Sequence, residues 1–371
     1  MVTSIIGGEW NPREALPKEF IALPQQIYAQ DPSWLGEDAS ALGHQFSEAN
    51  PWFSGGRAWL GVIPEQARLA GFYCGQLVEG EPAAFFGFWE GIDELSAHAA
   101  LFSEFKTWAV NQGAKRVYGP INFTTFGAYR IRLDSFESGA FPSEPWNPPY
   151  YSMLLRKLGL SEHYRYLSTF NDAKETAQAV AADYLRVKPK LEKVVKLEAM
   201  TPDFWMSNLD ALYGFVDEVF GANFAYTPIR KDAFISQCGE AFATRFCPHS
   251  SVLARTHDGR IAGFFLVYPD YSPLIRMASR DHIAASTLRY DLHYAVLPKP
   301  RLALAKTGGV HPDFRALGLF TAMGCELTLR AEPFYERISG ALVREDNNSR
   351  QFALRHGVSE VRHYALFHQA L

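Results

Sequence analysis

The turn Arg315-Ala316-Leu317-Gly318-Leu319-Phe320 has the residue types of an anion-binding site. It follows a strand predicted over 302–310, which ends at Val310, and it opens a helix predicted over 319–330. A helix N-terminus offers unpaired N–H groups and the positive end of the helix dipole, and a glycine lets the backbone approach a ligand closely. The pattern predicts a site for a phosphate-bearing ligand, in which Arg315 fixes the turn or contacts a phosphate. The alternative is an ordinary strand-to-helix turn that binds nothing.

Acid–base chemistry at this end of the chain could come from Glu345, which lies where a second predicted strand meets a helix. A carboxylate there can act as a general base or anchor a substrate. The neighbouring Asp346 and Asn347 are typical helix N-cap residues, so a purely structural role for this segment is the alternative.

The loop 124–151 is the predicted substrate wall, because long loops rich in Gly, Pro and aromatic residues often carry binding functions. Its first part offers a phenol, two guanidinium groups and an acid, and its last part offers a rigid aromatic face. A second candidate segment follows the first helix of the second half, around 223. The alternatives are a lid that only packs protein surfaces and a loop that only ends a helix. The candidate substrate-binding residues are Tyr129, Arg130, Arg132, Asp134, Asn147, Tyr150 and Asn223.

Composition and the remaining motifs exclude several classes of protein. The four cysteines are scattered without a C-x-x-C pair, as reduced thiols of a cytosolic protein are. Cys247-Pro-His249 and the pair His363 and His368 do not have the spacing of a metal site, so we expect no metal. A net charge of −4 argues against nucleic acid or anionic membrane as partners. Without a signal peptide or a bilayer-spanning apolar stretch, we expect a cytoplasmic protein, with a homodimer left open.

The sequence contains an internal repeat. Three local matches occur in the same order in both halves, at a slowly drifting offset: Trp10–Arg13 with Met200–Asp203, Arg68–Tyr73 with Arg260–Phe265, and Gly159–Glu162 with Gly357–Glu360. We interpret them as a duplication that gives an N-terminal lobe at 1–172, a connecting helix at 173–193 and a C-terminal lobe at 194–371.

Each half predicts the same series of elements. A strand leads into a helix with a proline near its start, and a hairpin follows, marked in the second half by Asp258-Gly259 between apolar runs. A strand, a long helix, another strand, a helix and a last strand complete the series. Gly159 and Gly357 occupy the positions where a left-handed residue would end the last helix.

This series resembles the GNAT superfamily of acyl-CoA-dependent N-acyltransferases, whose R/Q-x-x-G-x-G/A turn matches the segment from Arg315 to Phe320. The chain also resembles bacterial proteins with two GNAT-like lobes, through segments such as Asp31–Trp34, Gly119–Phe123 and Val310–Arg315. The resemblance implies an α/β fold with a duplicated, mixed and mostly antiparallel sheet flanked by helices in each lobe. It also implies acetyl-CoA or another acyl-CoA as co-substrate.

The sequence departs from the GNAT pattern at two positions. Phe320 replaces a small residue, and Ala353 stands where many members have the tyrosine that protonates the leaving thiolate. A phenol of the first lobe would have to replace that tyrosine, and Tyr151 is our candidate because Pro148 and Pro149 would hold it rigidly. In the first lobe the equivalent turn, 90–95, carries three carboxylates. Since these would repel phosphates, we expect only the second lobe to bind acyl-CoA.

The resemblance and the residues together predict an acyl-CoA-dependent N-acyltransferase that transfers an acyl group, with acetyl favoured, to a small amine-containing acceptor held between the lobes. Two alternatives remain. One is an aminoacyl-tRNA-dependent peptidyl transferase with paired GNAT-like lobes, against which the net charge argues. The other is a binding protein that kept the fold and lost the chemistry, which Phe320 and Ala353 favour.

Overall fold

The computed structural model describes residues 4–277, 287–347, 349–354 and 358–371. Contacts divide the chain into two compact units, and each is built from more than one segment. Unit 1 consists of Met1–Arg165, Phe224–Thr227 and His363–Leu371, and unit 2 consists of Tyr166–Asn223 and Pro228–Arg362.

Unit 1 is a sheet in the order β1-β2-β3-β5-β6-β14, antiparallel except for the parallel pair of β5 and β6. The short strand β4 pairs with β5, and β7 pairs with β14. The strands are β1 (Ile6–Glu9), β2 (Arg57–Ile63), β3 (Ala67–Tyr73), β4 (Leu77–Val78), β5 (Glu81–Gly91), β6 (Arg116–Gly119), β7 (Ile131–Arg132) and the later part of β14 (Glu360–Ala370). The helices are α1 (Lys18–Ile27), α2 (Ala39–Gln45), α3 (Leu95–Gln112) and α4 (Tyr151–Lys157).

Unit 2 is a sheet in the order β9-β10-β11-β12-β13-β8, antiparallel except for the parallel pair of β12 and β13. Its strands are the later part of β8 (Ser161–Asp172), β9 (Val195–Ala199), β10 (Val252–Thr256), β11 (Ile261–Pro269), β12 (Leu302–Val310) and β13 (Arg337–Arg344). Its helices are α5 (Ala173–Leu191), α6 (Pro202–Ser207), α7 (Leu209–Phe220), α8 (Lys231–Gln237), α9 (Glu240–Ala243), α10 (Ser272–Met277), α11 (Tyr290–His293), α12 (Leu319–Ala331) and α13 (Ser349–Leu354).

The two sheets share one strand order, which confirms the predicted duplication. The series β1-β2-β3-β5-β6 corresponds to β9-β10-β11-β12-β13, and each series ends in a parallel pair. Both sheets also carry a register shift on the equivalent strand, at Phe88 and Trp89 in β5 and at Lys306 in β12. Such a bulge disrupts the ladder locally and bends the strand. An irregularity shared at one position supports a common origin of the two halves.

The sixth strand of each sheet comes from the other half of the sequence. In unit 1, β14 pairs with β6, and in unit 2 the part of β8 from Tyr166 onward pairs with β13. The observed units therefore differ from the predicted continuous lobes, because a strand belongs to the sheet with which it pairs, whatever its place in the sequence. The connecting helix was predicted as a linker, and it is α5, which packs on α12 within unit 2.

Each unit buries a long helix against one face of its sheet. In unit 1, Leu101, Phe102 and Phe105 of α3 pack against apolar side chains of the sheet such as Leu69 and Phe86. In unit 2, α12 packs its apolar residues, among them Met323, against β10, β11 and α5. None of the described helices combines the length and the apolarity needed to cross a lipid bilayer.

Local signals predicted most elements to within a few residues. The hairpin turns at Gly259 with φ of 97°, and Gly159 follows α4 with φ of 84°. The equivalent Gly357 lies outside the described residues. The prediction that the first helix begins near Pro12, within the repeat segment Trp10–Arg13, was wrong. That segment forms only a turn, and α1 begins at Lys18. The reason is Pro17, because the residue before a proline is disfavoured in the helical region.

Candidate functional site

The turn between β12 and α12 has the exposed helix N-terminus that the sequence predicts. A short 3-10 segment, Pro312–Leu317, leads to Gly318, whose φ of 68° is left-handed. α12 begins at the next residue, and no side chain of the residues that the structure describes caps its first N–H groups. A Cβ built on Gly318 meets nothing within 4 Å. The first turn of α12 is therefore open to a ligand from this side, and an anion would satisfy its N–H groups.

Arg315 fixes this turn. Its Nε donates to the Val310 carbonyl at 3.2 Å, and its Nη2 donates to the Val219 carbonyl at 3.4 Å. The side chain remains exposed, so its positive charge lies beside the helix N-terminus. The sequence leaves two roles open for Arg315. Its hydrogen bonds show that it fixes the turn, and its positive charge is compatible with a contact to a phosphate.

The remaining residues of the turn divide into exposed and buried positions. Ala316 and Leu317 are exposed, and Leu319 is fully buried. The ring of Phe320 packs against Phe265, with ring centroids 4.8 Å apart. The large side chain that departs from the GNAT pattern is therefore accommodated in the apolar core of unit 2.

Next to this turn, β12 and β13 stop pairing with each other. Their parallel register runs from Leu302 opposite Arg337 to Ala305 opposite Gly340, whereas β12 continues to Val310 and β13 to Arg344. The bulge at Lys306 falls directly after the last pair. In the described part of unit 2, the two strands therefore diverge towards their carboxyl ends, which is the end that carries the α12 turn.

In unit 1 the equivalent gap is filled by the chain itself. The Ile121 N–H donates to the Phe86 carbonyl at 2.6 Å, and Asn122 Oδ1 accepts from the Phe88 N–H at 2.8 Å. A Cβ on Gly87 would lie 2.4 Å from the Ile121 carbonyl oxygen, so glycine is needed for this close approach. The loop after β6 therefore fills the space between β5 and β6. Among the described residues, no loop fills the equivalent space between β12 and β13.

The helix N-terminus of unit 1 is also unsuited to a phosphate. Asp93 and Glu94 lie exposed at the start of α3. Two carboxylates at that point interact favourably with the helix dipole but repel an anionic ligand. That the second copy alone binds a phosphate-bearing ligand stays a prediction.

Most of the predicted substrate wall is structural. Arg132 is completely buried, and its guanidinium donates to the Asp134 and Ser135 carbonyls and lies 3.6 Å from Glu144. The Asn147 side chain accepts from the Arg132 N–H at 2.7 Å and donates to two carbonyls. Both residues hold the loop together, so neither can serve as the predicted substrate clamp.

Arg130 and Asn223, two further residues of the predicted substrate set, differ in their exposure. Arg130 is buried with its guanidinium 3.8 Å from the centre of the partly exposed Tyr129 ring. Asn223 is exposed and follows α7. Arg130 therefore belongs to the packed loop, whereas Tyr129 and Asn223 keep accessible surface.

Tyr151 was our candidate proton donor, and its burial contradicts that role. Its hydroxyl donates to Glu90 at 2.6 Å and accepts from the Gly91 N–H at 2.8 Å, in the core of unit 1. Tyr28 donates to the same Glu90 oxygen, and Tyr150 donates to the Gly91 carbonyl. Burial raises the pKa of Glu90 to about 7. These residues form a hydrogen-bonded network around Glu90, in which the hydroxyls of Tyr28, Tyr150 and Tyr151 already have partners.

Glu345 lies directly after β13, at the same carboxyl end of the parallel pair as the α12 turn, and it is partly exposed. Asp346 forms an ion pair with Arg344 at 2.5 Å. Of the two predicted catalytic residues, Glu345 is therefore the one whose place in the fold is compatible with chemistry. Ala353, the residue in the place of the GNAT tyrosine, lies in α13.

The sequence interpretation missed an aspartate–histidine pair in unit 1. His363 Nδ1 lies 2.6 Å from Asp134 Oδ2, although the two residues are 229 positions apart. Asp134 was assigned to the substrate, and His363 was considered only as a metal ligand. No sequence signal joins them, since β14 brings His363 to the loop after β7.

Comparison with solved structures identifies the fold. The chain resembles a conserved protein of Enterococcus faecalis V583 named as a probable N-acyltransferase, with a TM-score of 0.55 and 8% identity, over 99% of this chain and 73% of that one. It also resembles the GCN5-related glucosamine N-acetyltransferase region of a fungal multi-domain GH3 β-N-acetylglucosaminidase, with a TM-score of 0.54 and 13% identity, over 99% and 38% of the two chains. These likenesses confirm the predicted GNAT-like fold.

Sequence comparison adds little to this. No family model matches the chain. A curated relative, Protein YghO of Escherichia coli (strain K12), is 26% identical over 80 residues. That match covers 22% of this chain and only 20% of the relative's length. The fold is therefore established by structure, while the activity has to be argued from the site.

Proposed function

We propose that the protein is an acyl-CoA-dependent N-acyltransferase that binds its acyl-CoA in unit 2 and transfers the acyl group to a small amine. The main observation behind the proposal is that two features lie at the same end of unit 2. One is the uncapped helix N-terminus at Gly318, and the other is the divergence of β12 from β13 after Ala305. Coenzyme A has a pyrophosphate and a long, slender arm. The helix N-terminus suits the pyrophosphate, and the space between the diverging strands suits the arm.

Residues of unit 2 account for the chemistry in part. Glu345 is placed to act as a base or to anchor the acceptor. The leaving thiolate needs little help, because a thiol of this type has a pKa near 8.5. An acetyl group is the acyl group that we propose.

The test is binding followed by turnover. Calorimetry with acetyl-CoA, with longer acyl-CoAs and with free CoA should give saturable binding at one site. Release of free thiol from acetyl-CoA should then depend on an added amine, screened across amino sugars, amino acids and polyamines. Binding absent for every CoA species would overturn the proposal.

A second candidate is a non-catalytic acyl-CoA-binding protein, and the burial of Tyr151 favours it. With that hydroxyl engaged by Glu90, no described residue has been identified as the proton donor to the thiolate. This candidate predicts CoA binding without any amine-dependent thiol release. A thermal-shift comparison with tRNA in the same screen addresses the peptidyl-transferase alternative.

A further inference from the structure

A groove along α3 in unit 1 is separate from the α12 turn of unit 2. It has a volume of about 730 Å³ and lies between α3, the end of α4 and the end of β14. All of its lining residues belong to unit 1. Volumes of roughly 300–1,000 Å³ are usual for small-molecule sites. The groove therefore has the size of a ligand-binding site.

One part of the groove is an apolar arm on α3. Leu95, Ala99 and Phe102 line it at helical spacing, about three, two and one turns before Lys106. Because a helix rises about 1.5 Å per residue, Leu95 lies roughly 16 Å along the axis from Lys106. Leu95 is 37% exposed, and Ala99 is exposed as well. A ligand tail of that length would bury apolar surface that now faces water.

The charges in the groove are all positive. Of the described residues that line it, only Lys106 and Lys157 have ionisable side chains. Lys106 donates from Nζ to the Leu158 carbonyl at 3.5 Å, and neither ammonium group forms an ion pair with a described carboxylate. Burial lowers the pKa of Lys106, because a charge is less stable away from water. An anion bound beside Lys106 would stabilise this charge.

A third polar side chain lies beside the end of α4. Gln369 of β14 lines the groove, and its Oε1 is buried without a hydrogen-bond partner in the described part of the chain. A Cβ built on Gly159 would lie 2.8 Å from Gln369 Nε2, so the amide is next to the residue that follows Leu158. The groove therefore has a polar end, formed by Lys106, Lys157 and Gln369, and an apolar arm.

We propose that this groove binds a single-chain aliphatic carboxylate, the anion of a fatty acid, with its head at the polar end and its tail along the apolar arm. Charge complementarity identifies the head, because two ammonium groups without a carboxylate partner suit a group that only accepts hydrogen bonds. The apolar arm is one stripe of a helix, which a single extended chain can cover. The inference concerns unit 1 alone and does not rest on acyl-CoA binding in unit 2.

The test is calorimetry of the full-length protein with sodium octanoate, decanoate and dodecanoate, each below its micelle concentration. One saturable site is expected, and Kd should fall by roughly two- to fourfold for each added methylene as the tail fills the arm. Dodecyltrimethylammonium has the same tail and the opposite head charge, and it should not compete.

Two lysine variants test the head. Lys106→Met keeps the stem of the side chain and should raise the Kd for dodecanoate by roughly tenfold or more. Lys157→Met should raise it less, because Lys157 is exposed and its charge is screened. Lys18→Met, which removes an exposed lysine of α1 outside the groove, is the matched control and should leave Kd unchanged.

A bulky residue in the arm tests the tail. Ala99→Trp should abolish dodecanoate binding, whereas Ala182→Trp, the same change at an exposed alanine of α5, should have no effect. Gly318→Asp in unit 2 should also leave the Kd for dodecanoate unchanged. Circular dichroism and the melting temperature show that each variant is folded.

Several outcomes would overturn the inference. One is a wild-type protein that binds no soluble carboxylate, or that binds only vesicles of phosphatidylglycerol. Another is a Kd that Lys106→Met and Ala99→Trp leave unchanged, or that Lys18→Met raises equally. A Lys106→Met variant that loses thermal stability but keeps its Kd would show that this lysine only stabilises the end of α4.

Discussion

The CoA site in unit 2 can be tested with a pair of variants that differ in one charge. Asn and Asp both tolerate the left-handed backbone of Gly318, and they are nearly equal in size. Since a Cβ at this position meets open space, either side chain fits without displacing a neighbour. Gly318→Asp should weaken CoA binding much more than Gly318→Asn does, because only the aspartate adds negative charge where the pyrophosphate would bind.

The size of the difference follows from Coulomb's law. Two unit charges about 4 Å apart repel by about 1 kcal/mol in bulk water and about 4 kcal/mol at an effective dielectric constant of 20. The turn from Arg315 to Gly318 is exposed, so the lower half of this range applies. A difference of about 1.5 kcal/mol corresponds to roughly a tenfold higher Kd for Gly318→Asp. Salt should reduce the difference, since exposed charges are screened.

Protein stability moves in the opposite direction, which makes the result easy to interpret. An aspartate at a helix N-terminus stabilises the helix by about 0.3–1 kcal/mol, so Gly318→Asp should unfold no earlier than Gly318→Asn. Gly259 provides the control, because it also has a left-handed φ and an unobstructed Cβ direction. Equal Kd values for Gly318→Asp and Gly318→Asn, or an equal effect of the same pair at Gly259, would refute the assignment of the CoA site.

Three further predictions concern unit 1. The pKa of Glu90 is raised to about 7, so the stability that its protonated form contributes is complete below about pH 4.5 and is lost as pH rises through 7. Glu90→Gln should therefore remove about 2–3 kcal/mol from the pH dependence of the free energy of unfolding. Urea midpoints at about pH 5 and pH 8 measure this difference. Gly87→Ala should lower the free energy of unfolding by about 1–3 kcal/mol because of the Ile121 carbonyl, and wild-type thermal stability would contradict the close approach. Arg132→Met should cost about 3–5 kcal/mol by leaving Glu144 without its buried partner, and a denaturant titration that shows less than 1 kcal/mol would disprove that pairing.

The fold could be predicted from the sequence because its signals are local and repeated. Asp258-Gly259 marks a hairpin, Gly159 ends a helix, and the strand from Leu302 leads into the helix at Leu319 as expected. The membership of the sixth strands could not be predicted, because β8 and β14 read as the last strand of their own halves. Which sheet a strand joins depends on contacts far away in the sequence, and these leave no local pattern.

The candidate site was predictable only where backbone geometry decides it. The turn at Gly318 follows from the strand, the glycine and the helix in sequence. Arg132 and Tyr151 have the residue types of a binding site, but burial makes them structural, and burial is a property of the folded loop. The contact of Asp134 with His363 was missed for the same reason as the strand exchange, since β14 forms both.

The exchanged strands impose an order on biosynthesis. Unit 1 requires His363–Leu371, so a ribosome that has completed Arg165 must add about 200 more residues, which takes roughly 10–40 s at ordinary elongation rates, before the sheet of unit 1 can close. During that time the hydrogen-bonding edge of β6 has no partner from β14. An open strand edge invites pairing with another nascent chain. We therefore expect the protein to need chaperone protection during translation, and we expect neither half to yield a stable domain when it is expressed alone.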